Sequence, residues 1–171
     1  MKSQNLTFTF TVDQTPEEAF AAINNVREWW SGNIDGVTDQ LGAEWSYRYK
    51  DIHYSKQRIT ELIPGRRVAW LVVDSYLSFV DDKKEWNGTE ITFDIAPKAG
   101  QPGGQNPSQT EVTFRHLGLT PDVQCFDGCS SAWGFIINTS LRNLIATGHG
   151  EPFDNEKKSE KLADREMVAQ G

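Results

Sequence analysis

The stretch FDGCSSAWGFIINTSLRNLIATG, residues 126–148, decides the fold. Its apolar residues recur at three- and four-residue spacing: Phe126, Cys129, Trp133, Ile136/Ile137, Leu141, Leu144 and Ile145. That spacing predicts a helix of about six turns with one wide apolar face, closed by Gly148. So broad a stripe needs a large partner, and the only large one upstream is a set of strands.

Working outward, residues 36–119 read as a meander of strands. Trp45, Tyr47 and Tyr49 share one face, with Glu44, Ser46, Arg48 and Lys50 on the other. A second strand runs roughly from Ile52 to Ile63 and ends at the Pro64-Gly65 turn. Val68–Val73 is nearly continuous in apolar residues, as a strand buried on both faces would be. Ile91, Phe93 and Ile95 alternate with polar neighbours, as do Val112, Phe114 and His116. Residues 97–108, rich in Pro and Gly, read as a mobile loop without core residues. At the other end, Leu6, Phe8 and Phe10 alternate with threonines as a half-buried strand. Thr15-Pro16-Glu17-Glu18 then opens a helix, with a capping hydroxyl, a proline at its first position and acids at its positive end. Residues 27–30 form a second short helical turn before Ser31-Gly32.

Composition narrows the function classes. The 171 residues carry 17 Lys+Arg against 24 Asp+Glu, a net charge of −7, so general nucleic-acid binding is not expected. No stretch is apolar enough for a membrane span, and the N-terminal residues alternate instead of forming a signal-like block. A cytoplasmic location is therefore expected. Two cysteines cannot staple a disulfide scaffold. Residues 1–150 read as one domain and 151–171 as a charged tail. Against this polar background stand six Trp, four Tyr and nine Phe.

Strand, two short helices, antiparallel meander and long final helix together give an α+β architecture, with the sheet curved around the helix. The segments FTVDQTPEEAFAAINNVREWWSG (10–32), ITELIPGRRVAW (59–70) and AWGFIINTSLRNLIATGHGEPF (132–153) resemble the SRPBCC (START-like, helix-grip) superfamily. Within it the chain is similar to the branch of activators of the heat-shock-protein-90 ATPase. The resemblance covers roughly residues 5–153. It implies a Bet v-like, helix-grip fold, in which a seven-stranded antiparallel sheet grips the C-terminal helix around a cavity.

The aromatics give the leading site. Trp29, Trp30, Tyr47, Tyr49, Trp70, Phe93, Phe126 and Trp133, with His116 and Ile137, are the candidate lining of a pocket for a small hydrophobic or aromatic ligand. The competing reading is that these side chains simply fill the core. Under the pocket reading, residues 97–108 and 30–35 are candidate gates. Trp133→Ala or Tyr47→Ala is expected to weaken ligand uptake and leave folding largely intact.

Cys125 and Cys129 fall at i and i+4 where the long helix begins. They read as small buried hydrophobes, with thiol reactivity at a helix start as the alternative. His53, His116 and His149 are too scattered to predict a metal site. His116 shares an inward face with Val112 and Phe114, and sequence parity assigns it no carboxylate partner among Glu61, Glu90 and Glu111. Arg66-Arg67 after the Pro-Gly turn reads as a hairpin brace. No cofactor motif is present. The expectation is non-catalytic ligand binding. Behind it stand a chaperone-cofactor role implied by the resemblance, and then a cyclase- or hydrolase-like activity in the same cavity. An exposed sheet edge would support a homodimer.

Overall fold

A computed structural model describes residues 4–31, 33–98 and 109–152. The first strand, β1 (Leu6–Val12), is followed by α1 (Pro16–Asn24) and a 3-10 turn (Val26–Glu28). The Thr15 hydroxyl accepts from the Glu18 amide at 3.1 Å and Pro16 opens α1, as the sequence predicts. Then come β2 (Ile34–Gly36), β3 (Glu44–Tyr49), β4 (His53–Ile63), β5 (Arg67–Leu77), β6 (Glu90–Lys98) and β7 (Gln109–Leu117). The last elements among the described residues are α2 (Phe126–Phe135), a π-helical segment (Ile136–Leu141) and α3 (Arg142–Thr147), which run on as one helix ended by Gly148 in the left-handed conformation.

The seven strands form one antiparallel sheet in the order β1-β7-β6-β5-β4-β3-β2. This is the helix-grip fold. The β4–β5 ladder slips twice, between Lys56 and Gln57 and between Ile59 and Glu61. Bulges of this kind bend and twist the strands that carry them. The inner face buries Trp45 and Tyr47 on β3, Val68, Trp70 and Val72 on β5, Ile91, Phe93 and Ile95 on β6, and Val112, Phe114 and His116 on β7. Trp29, Trp30, Trp133, Ile137 and Leu141 pack into the same core.

Two details differ from the sequence reading. Within β5, Leu71 and Val73 are only half-buried, so the run is not fully covered on both faces. Pro97 and Lys98 belong to the β6–β7 ladder, opposite Thr110 and Gln109, so the loop is shorter than its composition implied. The remaining loop residues 99–108 lie outside the described residues, as do Gly32 in the second candidate gate and tail residues 153–171.

Two fastenings position the helix. At its start, Glu85 of the β5–β6 loop accepts from the Gln124 amide (2.6 Å) and the Cys125 amide (3.2 Å). A carboxylate there meets free N–H groups and the positive end of the dipole. Toward its end, buried Ser140 donates to the Trp29 carbonyl (2.6 Å) and accepts from the Glu151 amide (2.7 Å). On the outer face, Arg67 bridges Glu61 (3.2 Å) and Asp94 (2.7 Å), and Arg115 also meets Asp94 (3.0 Å). Arg67 thus joins β4, β5 and β6, a wider brace than a single hairpin.

Candidate functional site

Between β3–β4 and α2 lies a cleft of about 230 Å³, open on one side. The sheet contributes Tyr47 and Tyr49 from β3, Ile52 from the turn and His53 from the start of β4. Trp30 enters just after the 3-10 turn. The β5–β6 loop, held to the helix start by Glu85, supplies Phe79 and Trp86. The helix adds Gly128, Cys129, Ala132, Trp133 and Ile136. Ile52 and Phe79 are 41% and 51% exposed, so apolar surface continues from the cleft to solvent.

Trp30 is the hinge of the aromatic packing. It lies 4.7 Å from Tyr47 in a stacked pair and 4.9 Å from Trp133. Trp45 stands perpendicular to it and to Trp70. Trp29 sits behind it, among Trp70 and Phe93. On the helix side, Trp133 contacts Phe114 at 4.8 Å and runs parallel to Trp86 at 6.1 Å. Ring pairs of these geometries add about 0.5–1.5 kcal/mol each beyond the area they bury.

Of the ten residues singled out in the sequence, Trp30, Tyr47, Tyr49 and Trp133 line the cleft. Trp29, Trp70 and Phe93 form the packed layer behind it. Ile137 is fully buried in the core beside Ile136, which reaches the cleft instead. Phe126 is half-buried against the core and outside the lining. His116 stands behind the wall: its ring meets Trp86 at 4.7 Å and Trp133 at 6.0 Å without lining the cleft.

The His116 contacts fix its chemistry. The Trp133 indole N–H donates to Nδ1 at 3.2 Å, so Nδ1 is the acceptor and Nε2 carries the proton. Nε2 lies 2.9 Å from the Thr89 hydroxyl, which donates to the Trp86 carbonyl at 2.7 Å. Burial, with His53 nearby, lowers the His116 pKa to about 3. Both nitrogens are engaged and the ring is neutral, so His116 orients Trp133 and has no free position for proton transfer.

His53, Trp86, Ile52 and Phe79 were missed as lining. Trp86 had a legible signal: a lone indole in the charged run Asp81–Asn87 needs somewhere to bury. His53 had none, because the inward face of β4 reads His53, Ser55, Gln57, Ile59, without apolar alternation. Burial lowers the His53 pKa to about 4. Burial also raises that of the Tyr47 hydroxyl well above the ordinary phenol value. Both groups are therefore uncharged near neutral pH.

Cys125 and Cys129 are buried, and the Trp86 indole donates to Cys125 Sγ at 3.2 Å. The neighbouring Cys129 thiol and this indole lower the Cys125 pKa, whereas sharing that contact, together with burial, raises that of Cys129. Among the described residues no three metal-ligating side chains converge, and no helix is long and apolar enough to cross a membrane.

No family model and no curated protein matches the sequence. Solved structures do match in fold. The Aha1 dimer from Colwellia psychrerythraea is 22% identical, with a TM-score of 0.65 over 86% of this chain and 99% of that one. A Mesorhizobium loti protein is 12% identical, with a TM-score of 0.57 over 83% and 96%. DynU16, from the dynemicin biosynthetic locus, is 12% identical, with a TM-score of 0.54 over 87% of this chain and 49% of its own. At these identities the likeness establishes the helix-grip fold.

Proposed function

We propose that this chain binds a small hydrophobic or aromatic molecule in the cleft between sheet and helix, without catalysis. The observation that supports it is the cleft itself: an open space of about 230 Å³ walled by six aromatic rings and His53, with no Lys, Arg, Asp or Glu among the described residues that line it. A cavity of roughly 150 Å³ admits benzene. This one suits about two fused rings, with the Tyr47 hydroxyl and His53 as polar contacts. Residues 1–150 are the binding domain in this reading. Titrating a bicyclic aromatic into the protein should quench tryptophan fluorescence saturably and with one-to-one stoichiometry. Linear, non-saturable quenching together with bare native mass spectra would end the proposal.

The likeness to the Aha1 dimer supports a second reading, a chaperone cofactor that pairs with a second copy. Stimulation of a heat-shock-protein-90 ATPase by the purified chain would favour it. No stimulation and no binding would remove it. Nothing in the His116 contacts favours an enzyme.

A further inference from the structure

One ring in the cleft wall is chemically unlike the rest. His53 opens β4 opposite Tyr49, and its imidazole stands edge-on between Tyr47 (5.4 Å, 68°) and Trp86 (4.6 Å, 83°). Its Nε2 is buried with no hydrogen-bond partner among the described residues. The fully buried histidine, His116, has both nitrogens engaged. Trp45 and Trp70 also hold buried indole N–H groups without partners, but both stand outside the cleft lining. Among the described residues, His53 is the one that both carries such an atom and lines the cleft.

The ligand's chemistry follows from what each class would meet there. A pure hydrocarbon leaves the imidazole nitrogen unpaired, which is costly in a dry site. An anion would shed its water into a wall that holds no cationic side chain among the described residues, beside a histidine that burial keeps neutral. A neutral hydroxyl matches, because a neutral imidazole offers one donor and one acceptor. The ring lines the cleft, and histidine χ2 is a soft torsion, so a hydroxyl seated against its edge can be met by a small rotation.

We propose that His53 is the polar anchor of the cleft and that the ligand is an uncharged, planar aromatic bearing a hydroxyl group. This rests on the binding reading above and adds the ligand's chemical class.

Isothermal titration of the full chain at neutral pH with naphthalene, 2-naphthol and 2-naphthoate tests it. The naphthol should bind about tenfold or more tighter than naphthalene, since a site built around a hydrogen bond rejects analogues that lack it. The naphthoate should bind weakest. His53→Phe should erase the naphthol advantage and His53→Gln should retain part of it. Equal affinity for naphthol and naphthalene overturns the anchor and leaves aromatic binding standing. Tightest binding of the naphthoate overturns the uncharged class. If none of the three binds, the binding reading falls and the anchor with it. Should His53→Phe not fold, the three ligands on the unaltered chain still decide. A shift of the His53 ¹⁵N resonances on adding naphthol, absent with naphthalene, is the second readout.

Discussion

The indole N–H of Trp133 donates to Nδ1 of His116 across 3.2 Å, joining the middle of the long helix to the last strand of the sheet. The two residues come from different elements and neither is exposed. Their bond sets the plane of the ring that forms the helix side of the cleft. His116→Phe keeps a flat ring, slightly larger, but leaves the Trp133 N–H and the Thr89 hydroxyl to find new partners. We expect a loss of about 1–3 kcal/mol, read from urea unfolding, with the m-value unchanged.

Acid should weaken the fold earlier than carboxylates alone would. His53 and His116 are held neutral by burial, with pKa values near 4 and 3 against 6.5 for an unperturbed histidine. The unfolded chain therefore binds protons that the folded chain refuses. The stabilisation is present above pH ~6.5 and is lost as pH falls toward the folded values. Between pH 7 and pH 5 each histidine should remove roughly 2 kcal/mol. Urea midpoints measured across that range check this, and His116→Phe should flatten the slope by about half.

The cleft can be tested without cutting into the core. Trp133→Ala, which the sequence alone marked as a mild change, removes a ring packed on Trp30, Phe114 and Trp86 and should cost about 3–5 kcal/mol. Ala132 is exposed and lines the cleft. Ala132→Trp should fill the space, abolish saturable binding of a bicyclic aromatic and shift stability by no more than about 0.5 kcal/mol. Binding that survives Ala132→Trp would place the ligand elsewhere.

Ser140 holds two backbone groups at once, the Trp29 carbonyl and the Glu151 amide. Ser140→Ala orphans the buried Trp29 carbonyl and frees the part-buried Glu151 amide, so about 1–3 kcal/mol should be lost. Hydrogen exchange at the Glu151 amide should accelerate even under conditions where the fold is intact. A methyl group on the neighbouring Gly150 would collide with the Glu28 carbonyl oxygen, so Gly150→Ala should release the same segment.

The fold was legible because its parts have clean periods. The alternation of Leu6, Phe8 and Phe10, and the spacing from Phe126 to Ile145, each admit one reading, and the sheet order completes it. The three-residue strand β2 was too short to show a period. The aromatic set was legible as a set, but which members face the cleft was not. Strand parity puts Tyr47 and Phe93 on the same inner face. It cannot tell the end of the sheet that meets α2 closely from the end that stands away from it. Ile136 and Ile137 differ by one position, and only the helix's local winding decides which reaches the cleft.

That winding departs from the α-helix at Ile136–Leu141, where the backbone takes the wider π form. A π turn accommodates an extra residue, and one residue is worth about 100° of helical rotation. Cys129 and Trp133 upstream, and Leu141 and Ile145 downstream, are therefore in phase with the sheet only because this turn is wide. Removing a single residue between Asn138 and Ser140 would let the turn relax to α and rotate one half of the helix against the other. Insertions and deletions here do more than change the helix's length: they choose which side chains the sheet receives.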